Sequence, residues 1–130
     1  RGAPFSIVQC AHGAATPEIV SDAAAKSMGL VTHSVFGVGD ALSRAEARLK
    51  EDTALREAMA ASGTTLAALL LDRARLHNAH GVILCSMISP ERLATNLAYV
   101  RRPVSPERRA LIEQLFAAEA SEGPQGQTVI

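Results

Sequence analysis

Three apolar segments without alternation between polar and apolar residues constrain the fold of this chain most. They are bounded by residues that favour turns and cover Phe5–Cys10, Gly29–Phe36 and Gly81–Met87. Continuous apolar runs of this kind are typical of strands that are buried on both faces, as in parallel sheets. The sequence therefore predicts three parallel strands.

Sequence signals for the start of a helix stand after each predicted strand and again before the last segment of the chain. A capping hydroxyl, a proline and an acid stand together at Thr16–Glu18, Ser89–Glu91 and Ser105–Glu107. The hydroxyl can accept from a free N–H of the first turn, and proline fits the first helical position. Ser43 and Glu46 have the spacing of a capping box. The predicted helices are five, at 17–28, 43–62, 65–77, 90–99 and 106–119.

The alternation of strands and helices predicts an α/β domain built from right-handed βαβ units. Gly29 and Gly63 fall where the residue after a helix end is expected. Three parallel strands alone would leave two hydrophobic sheet edges open. We therefore expect the sheet to be completed by another chain or by self-association into a homo-oligomer.

Residues 1–120 are predicted to form this domain, and residues 121–130 are predicted to be a flexible tail. Two glycines and a proline between Ser121 and Gln127 favour mobility at the end of the chain. Because the first residue is Arg1 rather than methionine, we expect the chain to be a processed, cleaved or excised piece of a longer protein, or to carry an end left by its preparation.

Composition narrows the classes of function. Thirteen basic and thirteen acidic side chains give a formal charge of zero, so there is no electrostatic case for nucleic acid or an anionic membrane. No apolar stretch approaches the roughly 20 residues of a membrane span. Cys10 and Cys85 lie in strand-like runs without a disulfide framework, which indicates a reducing, cytoplasmic setting.

Neither a metal site nor a hydrolase site is predicted. His77 and His80 are one helical turn apart, but no carboxylate or cysteine close by in sequence offers a third ligand. Cys10 and His12 could lie on one face at a strand end, yet no oxyanion loop or third member accompanies them.

Gln9, the loop Ser34–Leu42 and the helix start Ser89–Asn96, in this order, resemble the C-terminal part of the aldo-keto reductases. Those enzymes are (β/α)₈ barrels that use NADPH to reduce carbonyl groups. The resemblance runs from about Phe5 to Phe116 and corresponds to the family's sixth, seventh and eighth strands with their helices. It implies a partial (β/α)₈ (TIM) barrel of about three parallel strands and five helices.

The resemblance implies that two strand residues contact the nicotinamide end of NADP. Gln9 matches the glutamine whose amide binds the carboxamide, although a glutamine near a strand end could also satisfy loop backbone groups. His33 stands where the family often has an aromatic residue stacked on the nicotinamide ring. A strand-end histidine that is hydrogen-bonded to a neighbour is the alternative.

Two further segments match the phosphate-binding parts of the family's site. The loop over the cofactor pyrophosphate corresponds to Ser34, Phe36, Gly37, Gly39 and Leu42. Glycines admit close backbone approach and a serine hydroxyl can bind a phosphate oxygen, but glycines near a strand end are also common in turns.

The segment that holds the 2′-phosphate and the adenine corresponds to Ser86, Ser89, Arg92 and Asn96. Arg92 could bind the phosphate beside the helix N-terminus, or it could be an exposed helix arginine. Met87 stands where the family often has a serine, which predicts either weak NADPH binding or a shifted cofactor preference.

The family's catalytic aspartate, tyrosine, lysine and histidine lie on earlier strands without a counterpart in this chain. Tyr99 is the single tyrosine, and it ends a helix far from the strand ends. We therefore expect no catalytic residue here and no activity of the chain alone, with NADPH-dependent carbonyl reduction belonging to the complete enzyme. The alternative is a non-catalytic interaction or nucleotide-sensing module with the same fold.

Overall fold

The computed structural model describes residues 6–36, 40–86 and 89–117 of the chain. These residues form a three-stranded parallel sheet and six α-helices. The strands are β1 (Ile7–Ala11), β2 (Gly29–His33) and β3 (Val82–Ile83). The helices are α1 (Pro17–Ala25), α2 (Asp40–Glu51), α3 (Thr53–Ala61), α4 (Leu66–His77), α5 (Pro90–Val100) and α6 (Pro106–Phe116). No helix among the described residues is both long and apolar enough to cross a membrane.

The predicted α/β class and the three parallel strands are confirmed, with β2 between β1 and β3. The predicted lengths of two strands were wrong. β2 ends at His33 rather than Phe36, because Ser34 takes a positive φ of 58° and turns the chain out of the sheet. β3 pairs with β2 over Val82 and Ile83 alone. Phe5, Met87 and residues 118–130 lie outside the described residues.

The prediction that all strands are buried on both faces was also wrong. Side chains alternate between faces along a strand, so residues two apart share a face with their paired neighbours. One face turns towards the helices, where Leu30 and Thr32 are buried. The opposite face, called the open face below, leaves Ile7 61% and Val82 55% exposed. Its members are Ile7, Gln9, Val31, His33, Val82 and Leu84.

The helical segment predicted at 43–62 is two helices, so the count of five was wrong. Asp52 separates α2 from α3 with an extended backbone, and its side chain accepts from the Leu55 N–H at 2.9 Å. A carboxylate in this position satisfies a free donor at the start of the second helix. Ser43 is not a helix cap, because α2 already begins at Asp40.

The three predicted hydroxyl caps are confirmed. Thr16, Ser89 and Ser105 each have an extended backbone and accept a hydrogen bond from the N–H three residues further on, at 3.4, 3.3 and 3.3 Å. In each case the following proline is the first residue of the helix. Local sequence is sufficient to start these helices, because donor and acceptor are only three residues apart.

The residue with a positive φ at the end of α1 is a serine rather than the predicted glycine. Ser27 has a positive φ of 54°, and Gly29 is already the first residue of β2. The N–H of Met28 donates to the Ala23 carbonyl at 2.8 Å, and the N–H of Ser27 donates to the Ala24 carbonyl at 3.0 Å. This pair of bonds is a Schellman motif, which closes the last turn of α1. The corresponding prediction for Gly63 is confirmed by its φ of 63°.

The larger of two hydrophobic cores lies among the helices. It joins α2, α3, α4 and α6 and contains only apolar side chains. Its buried members are Ala45, Leu49, Leu55, Leu69, Leu70, Leu111, Ile112, Leu115 and Phe116. The second core lies between α4 and the sheet and has three buried members, Val35, Leu71 and Ala74. Most of the buried apolar surface is therefore on the helical side of the molecule.

A buried charge network ties α4 to α6 and to the end of α5. Asp72 is fully buried, and one of its oxygens accepts from Arg75 at 3.0 Å while the other lies 3.4 Å from the Arg108 guanidinium. The Arg108 guanidinium also lies over the Tyr99 ring, 4.7 Å from its centroid. The Tyr99 hydroxyl is 2.8 Å from the Thr64 hydroxyl. Tyr99 therefore contacts the neighbouring helical elements rather than the sheet.

Asn78, directly after α4, connects that helix to two strands. Its amide nitrogen donates towards the Leu30 carbonyl, the Thr32 hydroxyl and the Val82 carbonyl at 3.3, 3.3 and 3.2 Å. The two amide protons are thus shared among three acceptors. Gly81 passes so close that a Cβ there would overlap the Asn78 side chain and the Leu30 carbonyl. This contact holds the end of α4 close to β2 and β3.

Candidate functional site

An open depression of about 460 Å³ lies beyond the carboxyl ends of β2 and β3. The lining residues come from the segments that follow these two strands, and they are His33, Ser34, Val35, Phe36, Leu84, Cys85 and Ser86. Four of the predicted cofactor residues, His33, Ser34, Phe36 and Ser86, are among them. Ligands of open α/β sheets bind at this end of the strands, because the loops that follow parallel strands meet there.

Ser34 has the most constrained backbone at the site. Its positive φ is uncommon for a residue with a side chain, and Val35 directly after it is buried against α4. The Ser34 hydroxyl lies 2.9 Å from Nδ1 of His33. This bond agrees with the alternative that the strand-end histidine is hydrogen-bonded to a neighbour. It also directs the polar groups of both residues to one wall of the depression.

Cys85 and two apolar residues were missed as members of the site. Cys85 was assigned to a strand interior, but the ladder ends at Ile83 and the thiol reaches the depression. Burial raises the pKa of Cys85, so its thiolate is less populated than that of a free cysteine. Leu84 and Val35 complete an apolar wall. Val35 directly follows Ser34, and Leu84 and Cys85 directly precede Ser86. This closeness to predicted site residues was the signal that could have identified them.

Gln9 lies on the open face but not in the depression. It is opposite Val31 in the register of β1 and β2, two residues before the last residue of β1. His33 is two residues beyond Val31, so Gln9 and His33 share one face of the sheet. Gln9 is exposed there. The structure thus places the two predicted nicotinamide contacts on the same surface, at different heights along the strands.

The rest of the predicted pyrophosphate loop is only partly described. Leu42 lies in the first turn of α2, and its side chain packs against the helical core rather than into the depression. Gly37 and Gly39 lie outside the described residues.

The predicted 2′-phosphate segment is the beginning of α5. Ser89 caps the helix by accepting from the backbone N–H of Arg92, whose side chain is exposed. Asn96 is half-buried one turn further on. None of the three is among the lining residues of the depression. Hydrogen bonds from its own backbone N–H and from Ser89 lower the pKa of Glu91, so a carboxylate already occupies this helix end at neutral pH.

Within the described part of the chain, no three histidine, cysteine or acidic side chains are close enough to hold a metal ion. Two of the histidines pack together instead. The rings of His12, which is buried, and His77 have centroids 5.4 Å apart at an angle of 30°. Both cysteines are free thiols.

Comparisons of this chain with protein-family models, with curated proteins and with solved structures give no match. The depression offers a hydroxyl bonded to an imidazole, a second hydroxyl, a protonated thiol and apolar walls. Such a surface can hydrogen-bond and stack on a ligand.

Proposed function

We propose that this chain is the C-terminal, NADP-binding segment of an aldo-keto reductase. In the complete enzyme the reaction would be NADPH-dependent reduction of a carbonyl group. The observation that carries the proposal is that His33, Ser34, Phe36 and Ser86 line one depression at the carboxyl ends of two neighbouring parallel strands. Barrel and open-sheet α/β enzymes bind their cofactors at this end.

Four residues have roles in this proposal, and two of them line the depression. The imidazole of His33 stacks on the nicotinamide, and the Ser34 hydroxyl binds a pyrophosphate oxygen. Gln9, on the same face as His33, reaches the carboxamide at the edge of the ring. At the far end of the cofactor, Arg92 swings from its exposed position to the 2′-phosphate. The free thiols fit a cytoplasmic enzyme.

The open face supports the proposal that further strands complete a (β/α)₈ barrel. Ile7 and Val82 are apolar and more than half exposed on opposite edge strands. Strands supplied by another chain, or by a second copy of this one, would cover these side chains and close both edges. Those strands would also bring the proton donor that carbonyl reduction needs.

A non-catalytic nucleotide-sensing or interaction module is the second candidate. It is favoured by the separation of Arg92 and Asn96 from the depression, because a dispersed site would bind nucleotide weakly and reversibly. An interaction role would use the same open face.

Calorimetric titration with NADPH and NADH tests the proposal. We expect weak NADPH binding to the wild type and a loss of about tenfold in Arg92→Ala, because a hydrogen bond to a charged group is worth about 1.5–3 kcal/mol. NADH lacks the 2′-phosphate, so its affinity should not change in this variant. Arg109→Ala, which removes an exposed arginine from α6, is the matched control. Absence of NADPH binding, or an equal loss for both nucleotides, would contradict the assignment.

A further inference from the structure

The backbone of Ser34 places a hydroxyl at a position where strained serines act as nucleophiles. Ser34 follows directly after β2 and has a φ of 58°. Hydrolases that use this device carry a strained serine directly after a strand, so that its hydroxyl lies at the end of the sheet. Here Ser34 is partly buried and lines the depression.

A base is already in place beside this hydroxyl. Nδ1 of His33 is 2.9 Å from the Ser34 oxygen, within the range for proton transfer between a nucleophile and its base. When the imidazole carries its proton on Nε2, Nδ1 accepts from the hydroxyl. Both side chains are partly buried, which limits competition from water.

The other nucleophile at the site is less suited to this role. Burial raises the pKa of Cys85, which leaves the thiol protonated and poorly reactive. Ser86 is exposed on the β3 side of the depression and serves as the control for Ser34. The lining contains Val35, Phe36 and Leu84 and no charged side chain among the described residues. The surface therefore suits an uncharged ester with a short apolar acyl group.

We propose that Ser34 and His33 form a nucleophile–base pair that hydrolyses such esters. The Ser34 oxygen bonds to the carbonyl carbon as its proton moves to Nδ1 of His33. The bond to the alcohol oxygen then breaks, and this oxygen takes the proton from His33. Water next gives a proton to His33 and its hydroxide to the acyl carbon, and Ser34 leaves and regains a proton. The backbone N–H of Val35 is the donor for the oxyanion, as for other strand-end serines.

Labelling with an alkyl fluorophosphonate tests the pair directly. The serine oxygen bonds to phosphorus as fluoride leaves with the proton, so the adduct is read by intact mass and located by peptide mapping. We expect one adduct, on Ser34, which is absent in Ser34→Ala and retained in Ser86→Ala. His33→Gln should slow labelling by about 100-fold or more, the usual contribution of a positioned base. Hydrolysis of 4-nitrophenyl acetate should follow the same order among the variants.

The site of labelling in the wild type provides a readout that does not require a variant to fold. The adduct should map to Ser34 and not to Ser86 or Cys85, which line the same depression. No adduct, or equal labelling of Ser34 and Ser86, would overturn the proposal. None of these results bears on NADPH affinity, so the two functions fail separately.

Discussion

The helical side and the sheet side of this molecule differ in how completely they are covered. Among the helices, Leu69 and Leu70 are almost fully buried in a core shared by four elements. On the sheet side, β2 is packed on one face, while the edge strands expose Ile7 and Val82. The candidate site lies on the exposed side. The stability of this chain therefore comes mainly from its helices, and the sheet leaves apolar surface exposed.

The two sides are also joined differently. The helices are joined by apolar packing and by the buried Asp72 network. The sheet is joined to them chiefly through α4, by Asn78 and by a core of three buried side chains. A perturbation of the helical core should therefore affect the whole molecule, whereas a perturbation of the open face should be tolerated.

The largest effect is expected from Leu69→Ala, which removes a fully buried side chain from the helical core. The loss of packing and the cavity left behind should lower the free energy of unfolding by about 2–5 kcal/mol. Leu84→Ala on the open face is the matched variant, and with 46% of the side chain exposed it should cost about 1 kcal/mol or less. Urea denaturation followed by circular dichroism measures both. Equal losses would refute the contrast between the two sides.

A somewhat smaller effect is expected where α4 meets the sheet. Gly81→Ala would place a Cβ against the Asn78 side chain and the Leu30 carbonyl, and moving them should cost about 1–3 kcal/mol. Gly13→Ala adds the same methyl group where no atom lies within 4 Å, so its effect should stay within about 0.5 kcal/mol. Thermal unfolding compares the two. If Gly81→Ala is as stable as Gly13→Ala, Asn78 does not determine how the two sides join.

The smallest effect on stability is expected from substitutions on the open face. The quantity measured there is the oligomeric state. Sedimentation should show the wild type as an oligomer, because its edge strands expose apolar residues. Replacing Ile7, Val82 and Leu84 together by threonine should shift it to the monomer while the helical signal is retained. Leu93 and Leu97, exposed on α5, provide the control: their replacement by glutamine should leave the mass unchanged. A compact wild-type monomer would contradict completion of the sheet by self-association.

The features that the sequence predicted well depend on contacts between near neighbours. Thr16, Ser89 and Ser105 cap their helices because the donor is three residues away. The centres of the three strands were also found, because apolar runs mark them. The predictions that failed concern features that depend on contacts between distant residues or on local hydrogen bonds that compete with the predicted ones. Ser27 rather than Gly29 has the positive φ at the end of α1, where the Schellman bonds fix its position.

The candidate site was predicted in part for the same reason. His33, Ser34, Phe36 and Ser86 lie towards the C-terminal ends of two predicted strands, so their meeting at one end of the sheet could be inferred from the parallel order. The contribution of Cys85 could not, because it requires β3 to end after two residues. The proximity of Ser34 to Nδ1 of His33 required a backbone angle that the sequence does not reveal.

The fold class, the approximate positions of the strands and the starts of the helices after Thr16, Ser89 and Ser105 could be read from the sequence, because hydroxyl caps, prolines and apolar runs act over a few residues. Which face of the sheet stays open and how the depression is lined depend on packing between segments that are distant in sequence. Asn78, which reaches Leu30 and Thr32, is an example of such a contact. Its partners are more than 40 residues away, so no local pattern encodes it.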